Sequence, residues 1–193
     1  MSTKIEWVRN ADGSQGETIN PFRARNKATG AVGHFDAPKL QAVLRRRKPT
    51  TWFWFDKTDM FCDGYPDEWR DRCFAVMALT PQHTHIVLTK RAARMRGWFE
   101  RLQRIADDWA PKTKRGEFNP ANVLNLHWMH WTYGRGPAFP YHPWPLPNVR
   151  LGVSISNQED ADRDLPILLQ TPATVHFVSC EPLLGPLDLS RWL

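Results

Sequence analysis

Residues 149–187 limit the possible folds more than any other stretch. Val149-Arg-Leu-Gly-Val-Ser-Ile155 is apolar and rich in branched side chains, the composition of a buried strand. Ser156 or Asn157 stands ready to cap a helix, with Glu159 three residues after Ser156 as in a capping box. Ala161, Leu165, Leu168 and Leu169 then form one apolar helical stripe, which Pro172 ends. A second apolar run, Thr174-Val-His-Phe-Val-Ser179, leads into Cys180-Glu181 and the turn Pro182-Leu-Leu-Gly-Pro186. Strand, helix and strand with joints this short predict a parallel crossover unit. Ligands of such units gather past the carboxyl ends of the strands, where Ser154, Ser156, Ser179, Cys180 and Glu181 stand.

The preceding chain supplies more of the same. Asp36 and Pro38 open a short helix through Leu44. The run Arg45-Arg46-Arg47-Lys48 follows, suited to a solvated helix end or to phosphate contact. Thr51-Trp-Phe-Trp-Phe55 predicts a strand, followed by the polar Asp56-Lys57-Thr58-Asp59. Pro66 starts a helix in which Trp69, Cys73, Val76 and Met77 recur at helical spacing. His83 to Thr89 is the next strand, closing on Lys90 and Arg91. Met95, Trp98, Phe99, Leu102, Ile105 and Trp109 then form the clearest helical stripe in the chain, with Arg94, Arg96, Arg101 and Arg104 off it.

Two stretches lack a period. Residues 1–35 contain one candidate strand, Lys4–Trp7, and otherwise read as an irregular N-terminal segment carrying Arg23, Arg25 and Lys27. Residues 111–148 read as a proline-rich insertion or lid containing a candidate strand, Val123–Trp131. The 193 residues suit one α/β domain with a mostly parallel sheet. A closed eightfold barrel takes about 250 residues, so a partial or open (β/α) barrel is expected. A parallel sheet ending at Val175–Ser179, with no helix after it, leaves an edge strand and an apolar face exposed, which predicts a homodimer or poor solubility.

Composition narrows the partners. A net charge of +6 favours anions such as nucleic acid or nucleotide phosphates, and ten tryptophans offer stacking surfaces as well as core. No signal peptide or bilayer-length apolar run is visible, so an intracellular, cytoplasmic protein is expected, with no membrane partner. Cys62, Cys73 and Cys180 are too widely spaced for a disulfide framework or a zinc pattern. His83-x-His85 places two imidazoles on one strand face, but no third ligand is identifiable, so satisfied histidines and no metal are expected. His127 and His130 would point to opposite faces of a strand. Asp56 and Asp59 are candidates for paired carboxylates.

A series of short motifs carries a resemblance. Lys4-Ile-Glu-Trp7, Asn20-Pro21, Arg47-Lys48-Pro49, Thr58-Asp-Met-Phe61, Pro66-Asp-Glu68, Phe74-Ala-Val-Met-Ala78, Val87-Leu-Thr-Lys-Arg91, Pro145-Leu-Pro-Asn-Val149, Leu151-Gly-Val-Ser154 and Val178-Ser-Cys-Glu-Pro-Leu-Leu-Gly-Pro186 occur in that order. Together they closely resemble a phage- and prophage-encoded family of unknown function that looks like the radical S-adenosylmethionine enzymes and has a (β/α) barrel fold. The resemblance implies S-adenosylmethionine and a four-iron, four-sulfur cluster held by a cysteine triad soon after the Asn-Pro motif. Here the chain runs from Asn20-Pro21 through His34-Phe35 to Asp36 with no cysteine before Cys62. The family's strands after the Glu-Pro-Leu-Leu-Gly-Pro motif are missing as well.

The expectation is therefore a degenerate or truncated barrel without its cluster and with no cofactor of its own, acting by binding nucleic acid or a nucleotide-like ligand. Asp59, Lys90, Arg91, Ser154, Ser179 and Glu181 match the family's strand-end motifs and are the candidate ligand residues. Arg45, Arg46, Arg47 and Lys48 are the nucleic-acid candidates. Two alternatives stand beside this reading. One is a working radical enzyme that modifies nucleic acid or a nucleotide. The other is a phage-encoded module that binds a host protein, such as an inhibitor of host defence.

Overall fold

The computed structural model describes residues 7–9, 15–17, 23–25, 32–113, 118–132 and 143–192. The sheet at its centre has four parallel strands, β5 (Thr51–Trp54), β6 (Thr84–Thr89), β7 (Val149–Ser154) and β8 (Val175–Ser179), ordered in space as they are in the chain. Parallel neighbours need crossovers, and here they contain α2 (Asp67–Leu79), α3 (Ala92–Trp109) with α4 (Pro120–Trp131), and α5 (Gln158–Leu169). A further helix, α1 (Ala37–Arg45), precedes β5.

All five helices form one continuous layer: α1 packs on α2, α2 on α4, α4 on α3 and α3 on α5, with α5 against β7. A strand order that runs in one direction with right-handed crossovers puts every connection on the same side of the sheet. The result is an open segment of a (β/α) barrel, as the sequence predicts.

Side chains alternate accordingly. His85, Val87 and Thr89 of β6 and Leu151 and Val153 of β7 are buried against the helices. Met77 and Phe74 of α2, Met95 and Leu102 of α3 and Leu168 of α5 meet them in a single core. At roughly 25 cal/mol per Å² of apolar surface, each such side chain contributes about 2 kcal/mol on burial. Asn148 ties the amino end of β7 to the end of α2, its amide donating to the carbonyls of Met77 (2.9 Å) and Thr80 (3.1 Å).

Helix ends follow local chemistry. The Asp36 carboxylate accepts from the Lys39 N–H at α1, with proline in the first turn. At α5 the cap is Asn157, and the returning carboxylate is that of Asp160, which accepts from Ser156 N–H, rather than that of Glu159. The helix also accommodates Pro166 and ends at Leu169, before Pro172 is reached.

Two expectations are corrected. Val123–Trp131 is helix, not strand: Asn119 and Asn122 form a reciprocal cap around Pro120, and Val123, Leu124 and Trp128 fall into the core at helical spacing. Part of the proline-rich stretch is thus structural, bridging α2 and α3. The N-terminal segment is also not wholly irregular. It contains two antiparallel pairs, β1 (Trp7–Arg9) with β2 (Gln15–Glu17), and β3 (Arg23–Arg25) with β4 (Val32–His34). Of the Lys4–Trp7 strand, only Trp7 lies among the described residues.

Candidate functional site

The carboxyl edge of the sheet gathers most of the residues singled out from sequence. Asp59, in the loop after β5, reaches across to the end of β6. One carboxylate oxygen accepts from Phe61 N–H and the Thr89 hydroxyl, both at 2.8 Å. The other accepts from Lys90 N–H (3.0 Å) and the Arg91 guanidinium (2.9 Å). The Thr89 hydroxyl in turn accepts from Arg91 N–H. Asp59 is thus held by four of the protein's own donors and ties the β5 loop to the β6–α3 junction.

Lys90 is different: its side chain is exposed, on the side where Asp160 lies. The bond from Ser156 N–H, and then Arg163, keep the Asp160 carboxyl below the usual carboxylate range. Ser154 and Ser179 are direct neighbours at the ends of β7 and β8, Ser154 being buried. Ser179 also accepts from Ile155 N–H through its carbonyl, at 2.9 Å. Glu181, just past β8, is exposed. The edge therefore brings together Asp59 and Arg91, with Lys90 beside them, and separately pairs the two serines.

The basic run lies at the opposite, amino end of the sheet. Arg45 closes α1, and Arg46, Arg47 and Lys48 lead towards β5. All four are exposed. The connection is fixed rather than loose: Arg46 Nε donates to Thr50 Oγ1 (3.2 Å), and the Gln82 amide donates to the Arg46 carbonyl (3.2 Å).

The two strand histidines have different fates. An indole N–H can only donate, so the 3.0 Å contact from Trp54 Nε1 makes His85 Nδ1 an acceptor. The proton then sits on Nε2, which donates to Thr80 Oγ1 (3.0 Å), whose own hydroxyl donates to the Val76 carbonyl (2.7 Å). His85 is a satisfied neutral core histidine. Burial, aided by the neighbouring His83 ring, pushes its pKa down to about 4. His83 departs from the expectation of a satisfied ring. It is buried edge-on between Trp52 and His85, with neither ring nitrogen hydrogen-bonded among the described residues. Among the described residues no group of three potential metal ligands forms.

One charged cluster was not foreseen from sequence. Asp71 of α2, buried between helices, accepts from Trp98 Nε1 (2.9 Å) and the Arg101 guanidinium of α3, and pairs with His127 Nδ1 (2.8 Å) of α4. Next to it the buried Arg70 donates to the carbonyls of Met60, Cys62 and Tyr65 and to Asp67. These bonds lock the β5–α2 loop and α4 onto the helical layer. His127 therefore faces Asp71 from a helix, while His130 is exposed, which replaces the opposed-face strand geometry.

The cysteines do not fit one iron–sulfur cluster. Cys73 is buried inside α2, and burial pushes its thiol far above the range in which thiolates form. Cys62 follows β5, bound through its carbonyl to Arg70, and Cys180 follows β8. Those two strands are the outer edges of the sheet, about 14 Å apart at the usual strand spacing.

Among the described residues no helix is long and apolar enough to cross a membrane. No curated protein and no solved structure matches the chain. A family model does match, over residues 5–193, and by that match the chain belongs to the family described as protein of unknown function (DUF5131).

Proposed function

We propose that this protein is a radical-S-adenosylmethionine-like barrel segment of phage type that works by binding rather than by cluster chemistry. Its ligand is nucleic acid, held through phosphates by Arg45, Arg46, Arg47 and Lys48. One observation carries the reading. Arg70, Arg91, Arg94, Arg96, Arg101 and Arg163 each face a carboxylate. The four consecutive cations of the run face none among the described residues, and all are exposed. A helix carboxyl terminus alone accounts for Arg45, the only one of the four in the last turn of α1. The other three lie beyond it, on a connection held at a fixed position. An anchored, unneutralised row of charge in a chain of net charge +6 suits a polyanion.

Filter binding with single- and double-stranded DNA and RNA at low and moderate salt tests this. Salt-sensitive retention is expected, and no retention of any polymer refutes it. A second reading places a nucleotide-like ligand at the carboxyl edge, where the exposed Lys90 and Glu181 flank the Ser154–Ser179 pair. It predicts that Lys90→Ala weakens mononucleotide binding while leaving polymer binding intact. The enzyme reading is separated by anaerobic iron–sulfur reconstitution. A brown protein that releases 5′-deoxyadenosine from S-adenosylmethionine would replace the binding account.

A further inference from the structure

We infer that the open face of the parallel sheet is a stacking platform for single-stranded nucleic acid, with Phe53 and Phe177 as the rings on which bases lie. The inference rests on the nucleic-acid reading above and deepens it by naming the surface and the form of polymer.

All five helices lie on one side of the sheet, so among the described residues no helix covers the other. All-parallel sheets are ordinarily covered on both faces, so a face with no helix on it among the described residues is a candidate surface for a partner. The register sets what that face presents. Phe53 of β5 stands beside Ile86 of β6, Ile86 beside Arg150 of β7, and Arg150 beside Val175 of β8. One row further on, Leu88, Gly152 and Phe177 are neighbours.

Gly152 matters here because it has no side chain. A Cβ at that position would stand 2.4–2.6 Å from three atoms of the Phe177 ring. Such closeness to three ring atoms means that the ring lies over the glycine, across β7, instead of standing away from the sheet. Phe53 is 49% exposed. Phe177 is half-buried, and apolar rings that keep a face accessible on a sheet, with helices behind it, are the arrangement on which unpaired bases stack.

Charge complementarity selects the occupant. The alternating positions on this face of the four strands include the exposed Arg150 and several hydroxyl residues, and no carboxylate. Strand positions with two rings, one cation and no anion, Glu181 lying just beyond the end of β8, fit a polyanion that carries flat apolar groups. A duplex hides its base faces within the stack, so only a single strand can use both features. The basic run before β5 lies at one end of the same sheet, where phosphates leaving the platform would pass.

Fluorescence anisotropy of a labelled 12-nucleotide oligothymidylate and of a 12-base-pair duplex, with the whole chain, tests the inference. Phe53→Ala is expected to weaken oligothymidylate binding about tenfold while leaving duplex binding within twofold, since stacking acts on exposed bases alone. Gly152→Ala displaces the Phe177 ring and is expected to act in the same direction, with circular dichroism confirming the fold. Single-strand binding that is unchanged in both variants overturns the platform. If Arg46→Glu/Arg47→Glu still abolishes binding in that case, the nucleic-acid reading survives without it. Absence of any oligonucleotide binding overturns both. Light scattering that shows a dimer dissociated by Phe53→Ala would assign the face to a second copy of the chain and also overturn the platform.

Discussion

His85 gives the account a quantitative test. In the folded protein the ring is neutral, accepting from Trp54 at Nδ1 and donating to Thr80 at Nε2. Protonation would set an N–H of the ring against the indole N–H and bury a charge. Burial thus pushes the pKa from an ordinary 6.5 down to about 4. Between these values the unfolded chain binds more protons than the folded one, so stability falls as pH falls. The contribution is fully present above pH 6.5. About 2 kcal/mol is lost by pH 5, and on the order of 3 kcal/mol once pH 4 is passed. Other groups titrate at the acid end, so the informative quantity is a difference between two proteins. Urea unfolding followed by tryptophan fluorescence at pH 7, 6 and 5 should show the wild type losing about 2 kcal/mol more than His85→Gln over that interval. Gln cannot titrate, and it retains one donor and one acceptor for the same partners. Parallel losses in the two proteins would refute the neutral, doubly bonded ring.

Asp59→Ala strips four donors of their acceptor at a mostly enclosed position and should destabilise the protein by about 3 kcal/mol, read from the urea midpoint. Stability equal to wild type would show that the clasp holds nothing. Cys73 should resist a thiol reagent under native conditions while the half-buried Cys62 and Cys180 react, because Cys73 is buried and burial pushes its thiol up. Three thiols titrating together without denaturant would contradict that placement.

Much of the sheet and its helices was legible in the sequence because each long element repeats one period. The stripe from Met95 to Leu102 and the branched run Val149–Ser154 have no competing reading. Residues 123–131 read as a strand in the sequence and fold as part of a helix for a physical reason. Val123, Trp128 and Trp131 favour strands, whereas Asn119-Pro120 supplies the cap and first-turn proline that start a helix. The three-residue strands before α1 are too short to show alternation. At the candidate site, the strand-end residues could be listed from the chain, but their pairing could not. That Asp59 is occupied by protein donors, and that Asp71 joins three helices, depends on contacts across roughly 30 to 55 positions of sequence.

The central claim is that the basic run meets a polyanion through its phosphates, and counterion release measures this directly. Equilibrium binding to a 20-base-pair duplex from 50 to 200 mM salt gives the slope of log K against log salt. Replacing Arg45 and Arg47 with alanine should make that slope shallower by roughly 2, about 0.9 for each lost phosphate contact. A slope identical in wild type and variant, or no binding in either, would contradict the account.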